Sequence, residues 1–449
     1  MWGCTSDSCG GRPSCCGAGR RRPDRGTEMP WRPLPRESAG ISMNNTHKRI
    51  LFNSHGRLGV IELDASRAKP GVDAARDPTA LDAAAATTGV QVWYPNPDAP
   101  GMASWGWGPL FEDRRRVILS SYEPGKAWEG NVQVHLWIYD LEEDRLLEEI
   151  ALKNRPAPFM GCTHILPGEE RLVTNPIIDG KQRIWTMDLD GSDPREITGA
   201  EDGFVYCVQI SPDGRRFAYH STMLEGRDSY CIFVSDLDAG NRVEVAAAQG
   251  HLYFGPMWSP DGRWLIYQDC HYPDDPGHDW ADLCLGSPDG PDGARHRKVT
   301  TGQRQWFATS YGNPDSRGSG SNIAQWTPDG KRVTYTRAEP GSRTAWPYQA
   351  QRPDTDHFNR DYYPAAARGG TAICLLSPFS GEESEFIPYE PLVWNFRSAW
   401  SPDGSMFAFC RAEVGSPSAI WLVDADGGNA RKLTNGYEHL GADHPVWVG

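Results

Sequence analysis

The pentapeptide Trp-Ser-Pro-Asp-Gly stands at 258–262 and again at 400–404, with Trp-Thr-Pro-Asp-Gly at 326–330 and Ile-Ser-Pro-Asp-Gly at 210–214. Four copies of one turn, each flanked by apolar runs, restrict the chain to a repeat architecture. Ser or Thr at the first position, Pro at the second with its preset φ, and Gly at the fourth specify a type I turn. The runs that follow, such as Arg216-Phe217-Ala218-Tyr219 and Arg332-Val333-Thr334-Tyr335, alternate with period two, so each turn joins two antiparallel strands. A third strand and an aspartate-rich turn come next, as in Asp188-Leu189-Asp190-Gly191 and Asp424-Ala425-Asp426-Gly427. A fourth strand closes on Ile197-Thr198, Val299-Thr300 or Leu433-Thr434. Each repeat is therefore read as four antiparallel strands.

Degenerate first turns at Leu166-Pro167-Gly168-Glu169 and Phe111-Glu112-Asp113-Arg114 extend the series, with spacings of 55, 45, 48, 68 and 74 residues. A base period of about 40–50 residues is that of a β-propeller blade. The ends complement one another. The stretch 443–448 reads as a first strand that stops where its turn should begin, and 49–52, 60–63 and 90–93 read as second, third and fourth strands. The expected fold is all-β: a seven-bladed propeller at 48–449, its last blade closed by both termini, with long insertions at 269–283, 301–321 and 337–371. Closure of that kind removes exposed sheet edges.

Composition narrows the function classes. The net charge of −14, with 48 Gly and 36 Pro punctuating short β-rich runs, argues against nucleic-acid and polybasic membrane contacts. No apolar run reaches the length of a membrane span. The expected partner is an oligosaccharide or another acidic small ligand, met by a monomer. Residues 1–47 carry the net positive charge and four of the eleven Cys without an apolar signal region, and read as a disordered or mis-started extension. As written the chain is cytoplasmic, with export left open by the uncertain start. The remaining cysteines fall in strand-like runs and read as reduced core residues.

At these repeats the chain resembles the TolB-type propeller family, whose mark is the Trp-Ser-Pro-Asp-Gly turn followed by an aspartate-rich turn. The resemblance covers about residues 48–449 and implies a propeller used as a binding scaffold, as half of a serine peptidase, or as a whole enzyme such as oligogalacturonate lyase. No Gly-x-Ser-x-Gly elbow is present, which sets the peptidase aside.

Strand alternation puts the long insertions on the face opposite the first turns, and binding residues gather on such loops. In 269–280, His271, His278 and Asp279 offer hard or borderline metal ligands, for manganese, calcium or zinc; a self-bonded turn is the plainer reading. In 352–363, Arg352 and Arg360 suit bidentate capture of a carboxylate and His357 suits a general base, unless the loop only pins itself by ion pairs. Arg343, Trp346, Trp280 and Trp306 supply a cation and aromatic platforms for sugar rings. Arg397, at an inner-strand start, neutralises a substrate carboxylate or plugs the channel through salt bridges.

The segment His444-Pro445-Val446-Trp447 is similar to the His-Pro-x-aromatic motif that oligogalacturonate lyases carry in their last blade, where the His holds manganese. That resemblance implies His444 as a metal ligand and places His439 at a further ligand position, whereas Ala442 stands where another ligand belongs. The family also places His five residues before the turn proline in two other blades; here Cys162, Cys207, Gly255, Ile323 and Arg397 occupy those positions. A base must then come from the loops, or from His164 or His251. Two functions follow: a metal-assisted lyase acting on uronate oligosaccharides, and a non-catalytic propeller binding a protein, peptide or glycan at its mouth.

Overall fold

The computed structural model divides the chain into two units, 1–45 and 46–449. It describes residues 49–54, 57–64, 91–93, 103–122, 135–150, 163–179, 181–222, 224–227, 229–270, 280–291, 293, 295–302, 304–306, 322–343, 364–434 and 442–448, all in the second unit. The expectation of a disordered or mis-started 1–47 lies outside the described residues.

The architecture is an all-β propeller. Its turns form for the reason the sequence suggests. The amides of Gly214, Gly262, Gly330 and Gly404 each donate to the carbonyl of the Ser or Thr three residues earlier, at 2.8 Å. The hydroxyls of Ser211, Ser259, Thr327 and Ser401 donate to the aspartate two residues on, and accept the amide that opens the next strand. The four glycines adopt φ between 67° and 69°, a left-handed conformation that an L side chain resists. The closing dipeptides also have a shared role: Thr198, Thr300 and Thr434 accept the amides of Ile184, Leu283 and Ile420 on the third strand.

Among the described residues five sheets are four-stranded and antiparallel. One joins Gln91–Trp93, Arg57–Glu62, Arg49–Ser54 and Ala442–Val448, with Ile50 opposite Trp447 in register. The others span 103–150, 164–196, 204–246 and 393–432. Two of the seven expected blades are not separate. The short strand Gln305–Trp306 pairs with Trp280–Gly286 on one side and Val333–Ala338 on the other, fusing 253–298 and 325–387 into one nine-stranded sheet. The 301–321 insertion thus begins by adding main-chain bonds between neighbours, which an alternation pattern within one blade does not encode.

Side-chain alternation builds the core between sheets. Phe217 and Tyr219 pack with Val173 and Ile184 of the preceding sheet, while Ala218 between them packs with Tyr253 and Tyr267 of the following one. Ile50 and Phe52 meet Ala408 and Leu422, whereas Leu51 meets Val117 and Leu119. The repeated tryptophan links neighbours. The indole N–H of Trp258, Trp326 and Trp447 donates to the carbonyl of Gln209, Met257 and Ala399 in the preceding inner strand, at 3.1, 3.1 and 2.9 Å. The turns nest as well: a Cβ on Gly262, Gly330 or Gly404 would lie 3.6, 3.5 or 3.7 Å from Pro212, Pro260 or Pro328 of the previous repeat. Cys231, Cys270, Cys284, Cys374 and Cys410 are free and buried. No helix among the described residues is long and apolar enough to cross a membrane.

Candidate functional site

The first strand of each repeat lies at the inner edge of its sheet, where a propeller's strands line the channel. These strands are irregular at one place. Pairing registers shift between Tyr206 and Gln209, between Phe254 and Met257, between Phe396 and Ser398, and opposite Leu51 to Asn53 in the strand Ala442–Val448. Each shift is a bulge three residues before the repeat tryptophan position, and a bulge re-aims the side chain it carries. Gly255, Arg397 and His444 occupy that position in their strands, with φ of 59°, 35° and 51°. Glycine takes such a φ freely. An Arg or a His held there costs about 1–2 kcal/mol.

The two strained residues meet. Arg397 Nη1 lies 3.1 Å from His444 Nδ1. A guanidinium has no lone pair to offer, so in this contact it donates and Nδ1 accepts. Arg397 is 5% exposed and His444 half-buried. The backbone amide of Arg397 donates to Asn322 Oδ1 at 2.9 Å, Asn322 Nδ2 donates to the Trp306 carbonyl at 2.7 Å, and Gln305 Nε2 donates to the Asn322 carbonyl at 3.0 Å. A guanidinium beside an imidazole presents two kinds of donor and favours an anion.

At His444 the Nδ1 lone pair faces the Arg397 guanidinium, and Ala442, at the position a further ligand would take, is buried and apolar. Among the described residues no three or more His, Cys, Asp or Glu are placed to hold a metal ion. The expected ligands His439, His271, His278 and Asp279 lie outside the described residues, as do His357, Arg352, Arg360 and Trp346.

One aromatic expectation is corrected. Trp306 is 1% exposed, packed 4.6 Å from Trp394 and 5.6 Å from Phe396, so it offers no face to a sugar. It was read as a platform because it lies in an insertion; it is instead buried where the stitching strand is anchored. Trp280, partly buried, sits opposite it in register and packs against the same apolar cluster. Arg343 is exposed and forms a backbone bridge with Arg368. Trp447, the aromatic of the His-Pro-x-aromatic segment, is the inter-strand staple of the repeat.

A second polar cluster closes the root of the 269–283 insertion. Asp269 and Asp282 face each other across neighbouring strands and are 1% and 4% exposed. Lys298 Nζ lies 3.3 Å from one carboxylate and 3.1 Å from the other, and His251 Nδ1 is 3.0 Å from Asp269 Oδ2. Burial lowers the Lys298 pKa, but the hydrogen bond to Asp282 and the two carboxylate charges outweigh it and leave it raised. Two like charges opposite one another would be unfavourable alone; the ammonium between them offsets this. Asn322, Asp282 and Lys298 carried no sequence signal, because nothing in a linear pattern tells which polar atoms become buried; His251 was read as a candidate base and is instead hydrogen-bonded to Asp269.

No protein-family model matches the chain, and no curated protein matches it. Among solved structures it is similar to the tricorn protease at 11% identity and a TM-score of 0.51, over 89% of this chain and 34% of that one. It is also similar to an oligogalacturonate lyase in complex with manganese (13%, 0.49, 87% and 86%) and to TolB from Acinetobacter baumannii (16%, 0.29, 74% and 83%). At such identities the likeness speaks to the fold alone, which is the propeller.

Proposed function

We propose that the chain is a carbohydrate-binding propeller whose channel mouth takes the carboxylate of a uronate-containing oligosaccharide, with Arg397 and His444 as the ion-binding pair. The observation that carries this reading is that Arg397 and His444 keep side chains at a left-handed bulge position that Gly255 fills elsewhere, and that they touch. Strain retained at two residues that meet is the mark of a site. The pairing of Ala442–Val448 with Arg49–Ser54, and the Trp447 staple, support a ring of seven repeats shut by the two termini, which sets the two residues side by side. In that ring the nine-stranded sheet is two blades stitched together.

Calorimetric titration with trigalacturonate and with its methyl ester tests the reading. The acid should bind more tightly, and Arg397→Gln should lose about tenfold or more in affinity, the worth of one charge-assisted hydrogen bond. Equal binding of acid and ester, or no binding, overturns it. The same samples read for the absorbance of an unsaturated product: its release by the native chain would extend the reading to a lyase, with the base drawn from a loop histidine.

A further inference from the structure

We propose that Asn322 is a positioning residue that ties the strand Gln305–Trp306 to the direction of Arg397, so that this strand governs how the mouth recognises a carboxylate. The inference rests on the reading just given for Arg397 and His444. Asn322 is 3% exposed and lies just after the insertion, one residue before Ile323, which stands three residues before the repeat tryptophan Trp326. Three of its polar groups are used, on two elements. Its Oδ1 accepts the amide of Arg397 in the strand Val393–Trp400, its Nδ2 donates to Trp306, and its carbonyl accepts from Gln305.

The amide it accepts is that of the residue with φ of 35°. A side-chain acceptor there fixes the bulge in the conformation that turns the guanidinium to His444 Nδ1. Gln305 and Trp306 are themselves fixed by pairing with Ala281 and Trp280, and both hydrogen-bond Asn322. A displacement of that strand is thereby passed to Arg397 through the Asn322 side chain.

Selective histidine nitrogen labelling supplies a readout independent of ligand. In the native chain His444 should show the Nε2–H tautomer, since Nδ1 accepts from Arg397. Asn322→Ala should lose that signature and lower the preference for trigalacturonate over its methyl ester by about tenfold, while Asn322→Asp, which keeps the acceptor, should retain the signature. If Asn322→Ala leaves both tautomer and preference unchanged, the inference falls. If Asn322→Ala does not melt cooperatively, Asn322→Asp decides alone: loss of the signature in it shows that Oδ1 is not what orients Arg397. Should the native chain bind no uronate while the tautomer responds to Asn322→Ala, positioning stands and the proposed ligand falls.

Discussion

His444 allows backbone and side-chain energies to be separated. Both His444→Gly and His444→Ala delete the imidazole, but only Gly relieves φ of 51°. The Gly variant should be the more stable by about 1 kcal/mol in denaturant unfolding, and equal stabilities would show that the bulge carries no strain. A second residue, His220, contributes to the acid limb of stability. His220 is fully buried against Phe254 at 4.1 Å, and burial lowers its pKa to about 3. The unfolded chain takes that proton near pH 6.5, so stability is complete above this value and is lost as pH falls from 6.5 toward 3. Between pH 6 and 4, His220→Gln should flatten the dependence of unfolding free energy on pH by about 1.4 kcal/mol per unit; an unchanged slope would mean that His220 is not held neutral. Arg397 and His444 were legible in the sequence as residues at inner-strand positions. Trp306 was misread because its exposure depends on Trp394 and Phe396, which are far along the chain.

At the scale of elements, the turn pentapeptide was legible almost atom for atom, since Ser, Pro, Asp and Gly act within six residues of one another. The tryptophan that precedes it was visible as a repeat but not as a staple, because its acceptor lies in the previous repeat. Trp326→Phe should cost about 1 kcal/mol, leaving the Met257 carbonyl without its donor. Trp400 gives the internal comparison. Its Nε1 has no partner and its ring stacks on Phe386 and Phe407, so Trp400→Phe should be neutral or slightly stabilising in the same melts. Equal losses for the two variants would show that ring packing, not the N–H, holds the sheets together.

For the whole molecule, the pairing of Ala442–Val448 with Arg49–Ser54 was legible in two half-patterns, 49–63 and 443–448. The fusion of two repeats was not, because Gln305–Trp306 is too short to carry a period. Deleting 440–449 removes the strand Ala442–Val448 and bares the edge of Arg49–Ser54. The shortened chain should self-associate on size-exclusion chromatography or lose its cooperative melt; a monomer with an unaltered melting curve would mean that the ring does not depend on that strand. The stitched sheet has a mechanical consequence. Its two repeats share the strand Gln305–Trp306, which is paired on both sides, whereas the described seams between other sheets carry isolated peptide hydrogen bonds, as from Tyr230 to His251, Leu392 to Gly369 and Ala442 to Ser418, beside indole staples and apolar packing. A shared strand resists sliding better than isolated bonds and packed side chains do, so relative motion of neighbouring sheets should be taken up at those other seams before it reaches this one.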